Sequence, residues 1–435
     1  MNLDKAKIAL LYLVILGNFV LLVAPGFAGP AMFYYDETLL LWSTAGISHM
    51  VWGLGVTKGQ IALFTGNWAS DIFPLMGRTD ALQVILERTL NASAPVFMGR
   101  YPPGIGLTLY LFFVTFGLQF WVARLATTIF HVGTLILFPF NLYRHTRKYS
   151  LALIGGLLFS SVPMSSYFGR LVEPFIPALF FMTLSATFYS SSFHEENSVR
   201  RLGPALASLC VACFYNWVGF LLFVVVIALE LARTNRSLKG VLACAIVMLS
   251  MLVFLVLPLA TLGVSLGDYK GSNLFSNLVI MFRIFIHRTF LTSQDDSGLQ
   301  FSRLQESLVF VRVNIWAFTL LVPALAVCGL LTWIRRTINH VPLSYAERVN
   351  GILCAVGVMW VLLMAQGVYV HMYYQYFLLP GEVFFASAFL DRLLSANRGF
   401  CMLTRILVIG AIVAIYYLSV QTICGNLPPI WSGGY

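Results

Sequence analysis

Apolar runs long enough to cross a membrane recur so often along this chain that they rule out a water-soluble fold before any motif is read. They fall at residues 8–28, 121–143, 151–166, 174–192, 203–215, 217–232, 240–262, 315–334, 350–370, 374–390 and 403–421, about eleven spans, some of them short for a hydrocarbon core of about 30 Å. The balance of residues agrees. Only 10% of the 435 residues are charged and 59% are hydrophobic, whereas soluble domains carry about 25% charge. The expected fold is an all-α polytopic membrane protein. The 203–232 region fits either two short helices or one long tilted one.

Charge placement orients the spans. With Lys5 and Lys7 in the cytoplasm, the later inner loops read "YRHTRKY", "NSVRR", "RTNRSLK", "IRRTINHVPLSYAER" and "DRLLSANR". Each carries at least two basic residues, as the positive-inside rule requires. The outer segments then hold Asp36, Glu37, Asp71, Asp80, Glu87, Glu173, Asp268, Asp295, Asp296 and Glu306, most of the 17 acidic residues. The order holds only if "PPGIGLTLYLFFVTFG" does not cross, so it reads as a juxtamembrane or re-entrant helix with its prolines in the first turn. The net charge of +10 therefore points to lipid headgroups, not to nucleic acid. Residues 1–28 read as a retained first span, since their apolar run exceeds a signal-peptide core.

Two long segments, 29–120 and 263–314, lie outside this pattern, both on the outer face with interfacial helices expected within them. Connections of this length are usually functional. No internal repeat appears, and residues 1–435 read as a single integrated transmembrane domain. The seven cysteines fall mostly in apolar runs. The Cys210-x-x-Cys213 pair has no second pair or nearby histidine and reads as helix packing.

Chemistry-bearing residues gather in the outer segments. Asp36 and Glu37 open the first loop in "AMFYYDETLL", either as a span flank or as reacting carboxylates roofed by the apolar "TLLLWSTAGISHMVWGLG". Arg100 precedes the rigid "YPPG" turn that begins with Tyr101. It fits a snorkelling interfacial arginine or a bidentate phosphate ligand. In "SYFGRLVEPF", Arg170 and Glu173 sit three apart, near enough to pair, yet at a membrane edge ionisable residues are functional candidates. Arg283, His287 and Arg288 form a basic stripe on an apolar stretch suited to a lipid phosphate. Asp295 and Asp296 read as a solvated turn. "VYVHMYYQYFLLPG" brings His371, Tyr373, Tyr374 and Tyr376 to the outer mouth of a span. No nucleotide-binding, serine-hydrolase or metal-ligand spacing is present. Carboxylates mixed with cations suit removal of an acceptor proton and departure of an anionic leaving group.

The succession of "YYDE", "YPPG", the stretch from "GLQFWVARLATTIFH" to "PFIPALFFMTLSA", and "HMYYQYFLLP" resembles the GT-C glycosyltransferases, in particular the protein O-mannosyltransferase and aminoarabinose-transferase group. The likeness extends over residues 30–195 and again near 370–390. It implies a GT-C-like fold, a polyprenyl-phosphate-linked sugar donor, and transfer on the non-cytoplasmic face of a bacterial inner (plasma) membrane to a glycan, lipid or protein acceptor. It also implies Asp36 as catalytic base or acceptor-orienting group with Glu37 beside it. Arg100, Arg170 and His371, with Arg283 and Arg288, would contact the donor phosphate, and Tyr101, Glu173 and Tyr374 would line the cleft. Members differ in metal use, so the cofactor stays open. This chain has Tyr101 where many members carry His or Lys, and "CFYNWVG" where many carry a Thr-Lys pair. A flippase or transporter for a lipid-linked sugar is the alternative; it would be expected to place polar groups near the bilayer midplane, often with repeated halves.

Overall fold

The computed structural model describes residues 3–24, 27–29, 37–65, 68–98, 101–191, 198–232, 238–261, 265–266, 269–270, 275–279, 308, 311, 314, 317–364, 372–395 and 401–423. In chain order these form α1 (Leu3–Val23), α2 (Glu37–Thr57), β1 (Ala62–Leu63), α3 (Trp68–Ile72), α4 (Ala81–Asn91), β2 (Val96–Phe97), α5 (Gly104–Phe116), α6 (Phe120–Thr146), α7 (Tyr149–Ser161), α8 (Pro163–Ser166), α9 (Phe175–Ser191), α10 (Ser198–Tyr215), α11 (Val218–Ala232) and α12 (Leu238–Thr261). After the small hairpin β3 (Ser265–Leu266) and β4 (Tyr269–Lys270) come α13 (Leu321–Ile338), α14 (Tyr345–Leu363), α15 (Leu379–Ser395) and α16 (Cys401–Ile423).

Among the described residues, each apolar run overlaps a helix. Among the described residues, six helices are long and apolar enough to cross a membrane, seven if the pair bent by 63° at Val162 is one span. Shorter apolar helices, α9 to α11 among them, account for several others. The 203–232 region is two helices. Asn216 ends α10, and its side-chain Oδ1 accepts from the Val218 N–H at 3.1 Å, which starts α11 afresh.

The chain divides into two compact units, each assembled from separated segments. One comprises residues 26–131 and 170–296. Its apolar core runs from Leu39, Leu40 and Trp42 of α2 through Ile61 and Leu82 to Leu109 and Phe113 of α5. Glycine permits the closest approach: a Cβ at Gly46 would stand 2.8 Å from the Leu109 Cβ. The segment "TLLLWSTAGISHMVWGLG", expected to lie along the interface, is also long and apolar enough to cross, and 61% of it is buried inside the protein. Packing against α4 and α5 explains why this helix is apolar on most sides. A glycine-only conformation at Gly53 (φ 75, ψ 160) kinks it. The Thr57 hydroxyl closes the kink, donating to the Gly53 carbonyl at 3.0 Å while His49 Nδ1 lies 2.8 Å away. Asp80 caps no amide of α4, because Arg78 takes both its oxygens at 2.8 and 2.6 Å. That contact holds the exposed Asp80 carboxyl below the usual carboxylate range.

The expected non-crossing helix after Pro102 and Pro103 is α5, 13 residues long. Its first turn sits against the end of α10, where a Cβ on Gly104 would come within 2.7 Å of the Phe214 carbonyl oxygen. Thr108 and Tyr215 share a hydrogen bond of 2.8 Å at the same contact.

The other unit comprises residues 1–25, 132–169 and 297–435. Small and polar residues bind its helices, as they do where lipid removes the hydrophobic incentive. Asn18 of α1 donates to the Ser160 and Ser161 hydroxyls of α7 at 2.8 and 2.9 Å. Gly357 brings α14 so near residues 372–378 that a Cβ would lie 2.5 Å from the Phe377 carbonyl oxygen. Asp391 of α15 accepts from Lys148 at 3.2 Å and Ser150 at 2.5 Å, engaging the basic loop between α6 and α7.

Candidate active site

Three distant segments of the first unit meet at Trp42. Helix α2 starts at Glu37, and Trp42 lies five residues further along it, only 2% exposed. Its indole Nε1 donates to Glu173 Oε2 at 3.3 Å. The Tyr101 ring meets the indole at right angles, with centroids 5.0 Å apart, the edge-to-face arrangement that ring quadrupoles favour. Thus the start of the first loop, its closing Tyr-Pro-Pro-Gly turn and the Arg170–Glu173 turn converge on one indole.

Helix α6 anchors two of these segments. Arg124, 2% exposed, donates through Nη1 to the carbonyls of Phe27 at 2.8 Å and Gly29 at 2.6 Å. It thereby ties down the backbone that leads to Asp36. One turn on, the Thr127 hydroxyl donates to the Leu171 carbonyl at 2.8 Å, between Arg170 and Glu173. Both of those residues are buried, at 7% and 2% exposure. A carboxylate and a guanidinium so far from bulk water interact strongly with any charge that enters.

The other expected site residues are distributed as follows. Asp36, Arg100, Arg283, Arg288 and His371 lie outside the described residues, as do His287, Asp295 and Asp296. Glu37 is the first residue of α2, and its side chain also lies outside them. Tyr374 belongs to the second unit, where it is buried beside Trp360 with ring centroids 5.7 Å apart. Among the described residues, no group of three His, Cys, Asp or Glu side chains is placed to hold a metal ion.

Two further polar features leave a signal in the sequence. Arg124 interrupts the apolar "FWVARLATTIF", and an ionisable residue inside a span marks function or architecture by default. Glu382 follows "YFLLPG" on α15. It is half-buried among helices of the second unit and accepts from Asn314 Nδ2 at 2.8 Å. The same amide donates to the Gln375 side-chain Oε1 at 3.2 Å. The end of the second long connection is thereby fastened to the "YYQYF" turn.

No protein-family model matches the chain, and no curated protein matches it by sequence. Solved structures do match in fold. One is ArnT from Cupriavidus metallidurans bound to undecaprenyl phosphate, with TM-score 0.55 and 14% identity over 96% of this chain and 74% of that one. Another is the Archaeoglobus fulgidus oligosaccharyltransferase in its apo form, with TM-score 0.57 and 12% identity over 97% of this chain. This chain spans 56% of the length of that enzyme. A second structure of the same oligosaccharyltransferase, in complex with zinc and sulfate, matches with TM-score 0.55 and 13% identity, over 95% of this chain and 53% of that one. The chain is therefore a polytopic α-helical membrane protein with the GT-C fold.

Trp42→Phe probes the central contact, because phenylalanine keeps an aromatic ring there while removing the N–H donor together with the second ring of the indole. The bond of 3.3 Å is at the long end of the range, so its loss is expected to lower stability by about 1 kcal/mol. Thermal unfolding of the detergent-solubilised protein would measure this. No change at all would mean that the indole does not hold Glu173.

Proposed function

We propose that the chain is an integral-membrane glycosyltransferase that moves a sugar from a polyprenyl-phosphate donor to an acceptor hydroxyl on the non-cytoplasmic face. The observation that carries this reading is the meeting of Tyr101 and Glu173 at Trp42 of α2, the helix that begins one residue after Asp36 in the sequence. The undecaprenyl phosphate bound by the similarly folded ArnT supports a polyprenyl phosphate as the lipid.

The reaction is a single displacement. Asp36 takes the acceptor's hydroxyl proton as the acceptor oxygen bonds to the anomeric carbon. The bond from that carbon to the phosphate oxygen breaks, and its electron pair leaves with the polyprenyl phosphate. Arg100 and Arg170, aided by Arg283 and Arg288, stabilise the growing negative charge. Glu37, Tyr101 and Glu173 shape the cleft and orient the sugar. One displacement by one acceptor inverts the anomeric centre. The N-terminus lies in the cytoplasm and the membrane is a bacterial inner membrane.

The competing function is a transporter for the same lipid. Reconstitution in liposomes with a polyprenyl-phosphate-linked hexose, and with a membrane extract as the source of acceptor, separates the two. The glycosyltransferase is expected to cleave the sugar–phosphate bond and release polyprenyl phosphate. Intact lipid-linked sugar moved across the bilayer would favour the transporter instead.

A further inference from the structure

Residues 59–98 of the first long loop fold into a small module that the proposed chemistry does not use. The β1–β2 pair aligns Ala62 with Phe97 and Leu63 with Val96, and Ile72, Leu75, Leu82 and Ile85 fasten α3 and α4 to the core of the unit. On the module's open side lies a groove of about 440 Å³ lined by Phe64, Thr65, Asp71, Arg88, Asn91 and Ala92. Small-molecule sites run from about 300 to 1,000 Å³.

The lining is arranged within the module. Thr65 donates its hydroxyl to the Asp71 carboxylate. Arg88 Nη1 donates to the Asp71 backbone carbonyl at 2.7 Å, and its guanidinium lines the same groove as the carboxylate. Among the described residues, no other protein acceptor meets that guanidinium. One acid and one base make the groove neutral in sum, so a phosphate meets Asp71 and a cation meets Arg88 at similar cost. A sugar hydroxyl both donates and accepts, so neighbouring hydroxyls can bridge the carboxylate, the guanidinium and the Asn91 amide. The half-buried Phe64 ring supplies an apolar face for the C–H side of a pyranose.

We propose that this groove is a saccharide-binding subsite. Assigning its sugar to the acceptor, and not to the donor, rests on the glycosyltransferase reading above.

Saturation-transfer NMR on the purified full chain in detergent micelles tests it, with maltotriose, mannotriose and chitotriose as neutral probes and trigalacturonate as the anionic one. At least one neutral trisaccharide is expected to bind. Arg88→Gln should weaken that binding about tenfold, the size expected for a lost charge-assisted hydrogen bond, and Asn91→Ala should weaken it less. Both residues are exposed, so thermal unfolding should not change. Undecaprenyl phosphate binding should be the same in both variants and the parent, which separates acceptor from donor. Saturation of none of the neutral probes, of trigalacturonate alone, or equally in parent and variants would overturn the proposal. A neutral trisaccharide that binds while undecaprenyl phosphate does not would remove the donor reading and leave the subsite standing.

Discussion

Asp36→Asn is expected to lower sugar transfer by about 10²- to 10⁴-fold, the range a positioned general base contributes, while leaving the affinity for polyprenyl phosphate intact. Asparagine matches aspartate in shape but cannot take the acceptor's proton. The carboxylate stands immediately before α2, whose Trp42 reaches Glu173, and follows backbone that Arg124 holds at Phe27 and Gly29. A base must be positioned to meet a hydroxyl at hydrogen-bond distance. Glu37→Gln should cost far less, because adjacent residues at a helix start point in different directions. Turnover of a lipid-linked donor, measured beside binding of undecaprenyl phosphate, checks both. Unchanged turnover in Asp36→Asn would remove the base assignment.

The second large effect is expected from Arg124→Ala. Its guanidinium satisfies two backbone carbonyls from a position only 2% exposed. Alanine leaves those acceptors without the donor, at about 1–3 kcal/mol each, partly offset by relief of the buried charge. A net loss of about 3 kcal/mol is expected from these opposed terms, visible as a lower melting temperature in detergent. Activity should fall further than stability explains, because the freed backbone leads to Asp36. Arg124→Lys should lie between, keeping the charge while losing the planar fork. A melting temperature equal to the parent's would mean that neither carbonyl depends on Arg124.

Much of the architecture was legible because span length and loop charge are local properties. The apolar runs marked helices throughout, and Pro102 and Pro103 marked the start of α5. Helix α2 was harder to read. A run that is apolar all round fits an interfacial, a spanning or a protein-covered helix, and only its packing against α4 and α5 shows how much of it the protein covers. The candidate site was legible as parts. The sequence shows Glu173 and Tyr101 as polar punctuation of outer segments, but nothing local indicates that both reach Trp42, since that contact joins residues 131 apart. Arg124 shows the reverse case. Its charge inside an apolar run was visible, while its partners lie 95 and 97 residues earlier. The module at residues 59–98 could be seen only as an unusually long connection, because its groove forms from residues whose spacing follows no period.

Donor chemistry can be followed directly by mass spectrometry. Purified protein would be given a polyprenyl-phosphate-linked hexose together with a membrane extract from cells lacking the gene. One polyprenyl phosphate released for each hexose transferred, with inversion at the anomeric carbon and loss of both products in Asp36→Asn, is the predicted result. Donor that remains intact in the presence of the folded protein and the complete extract would contradict it.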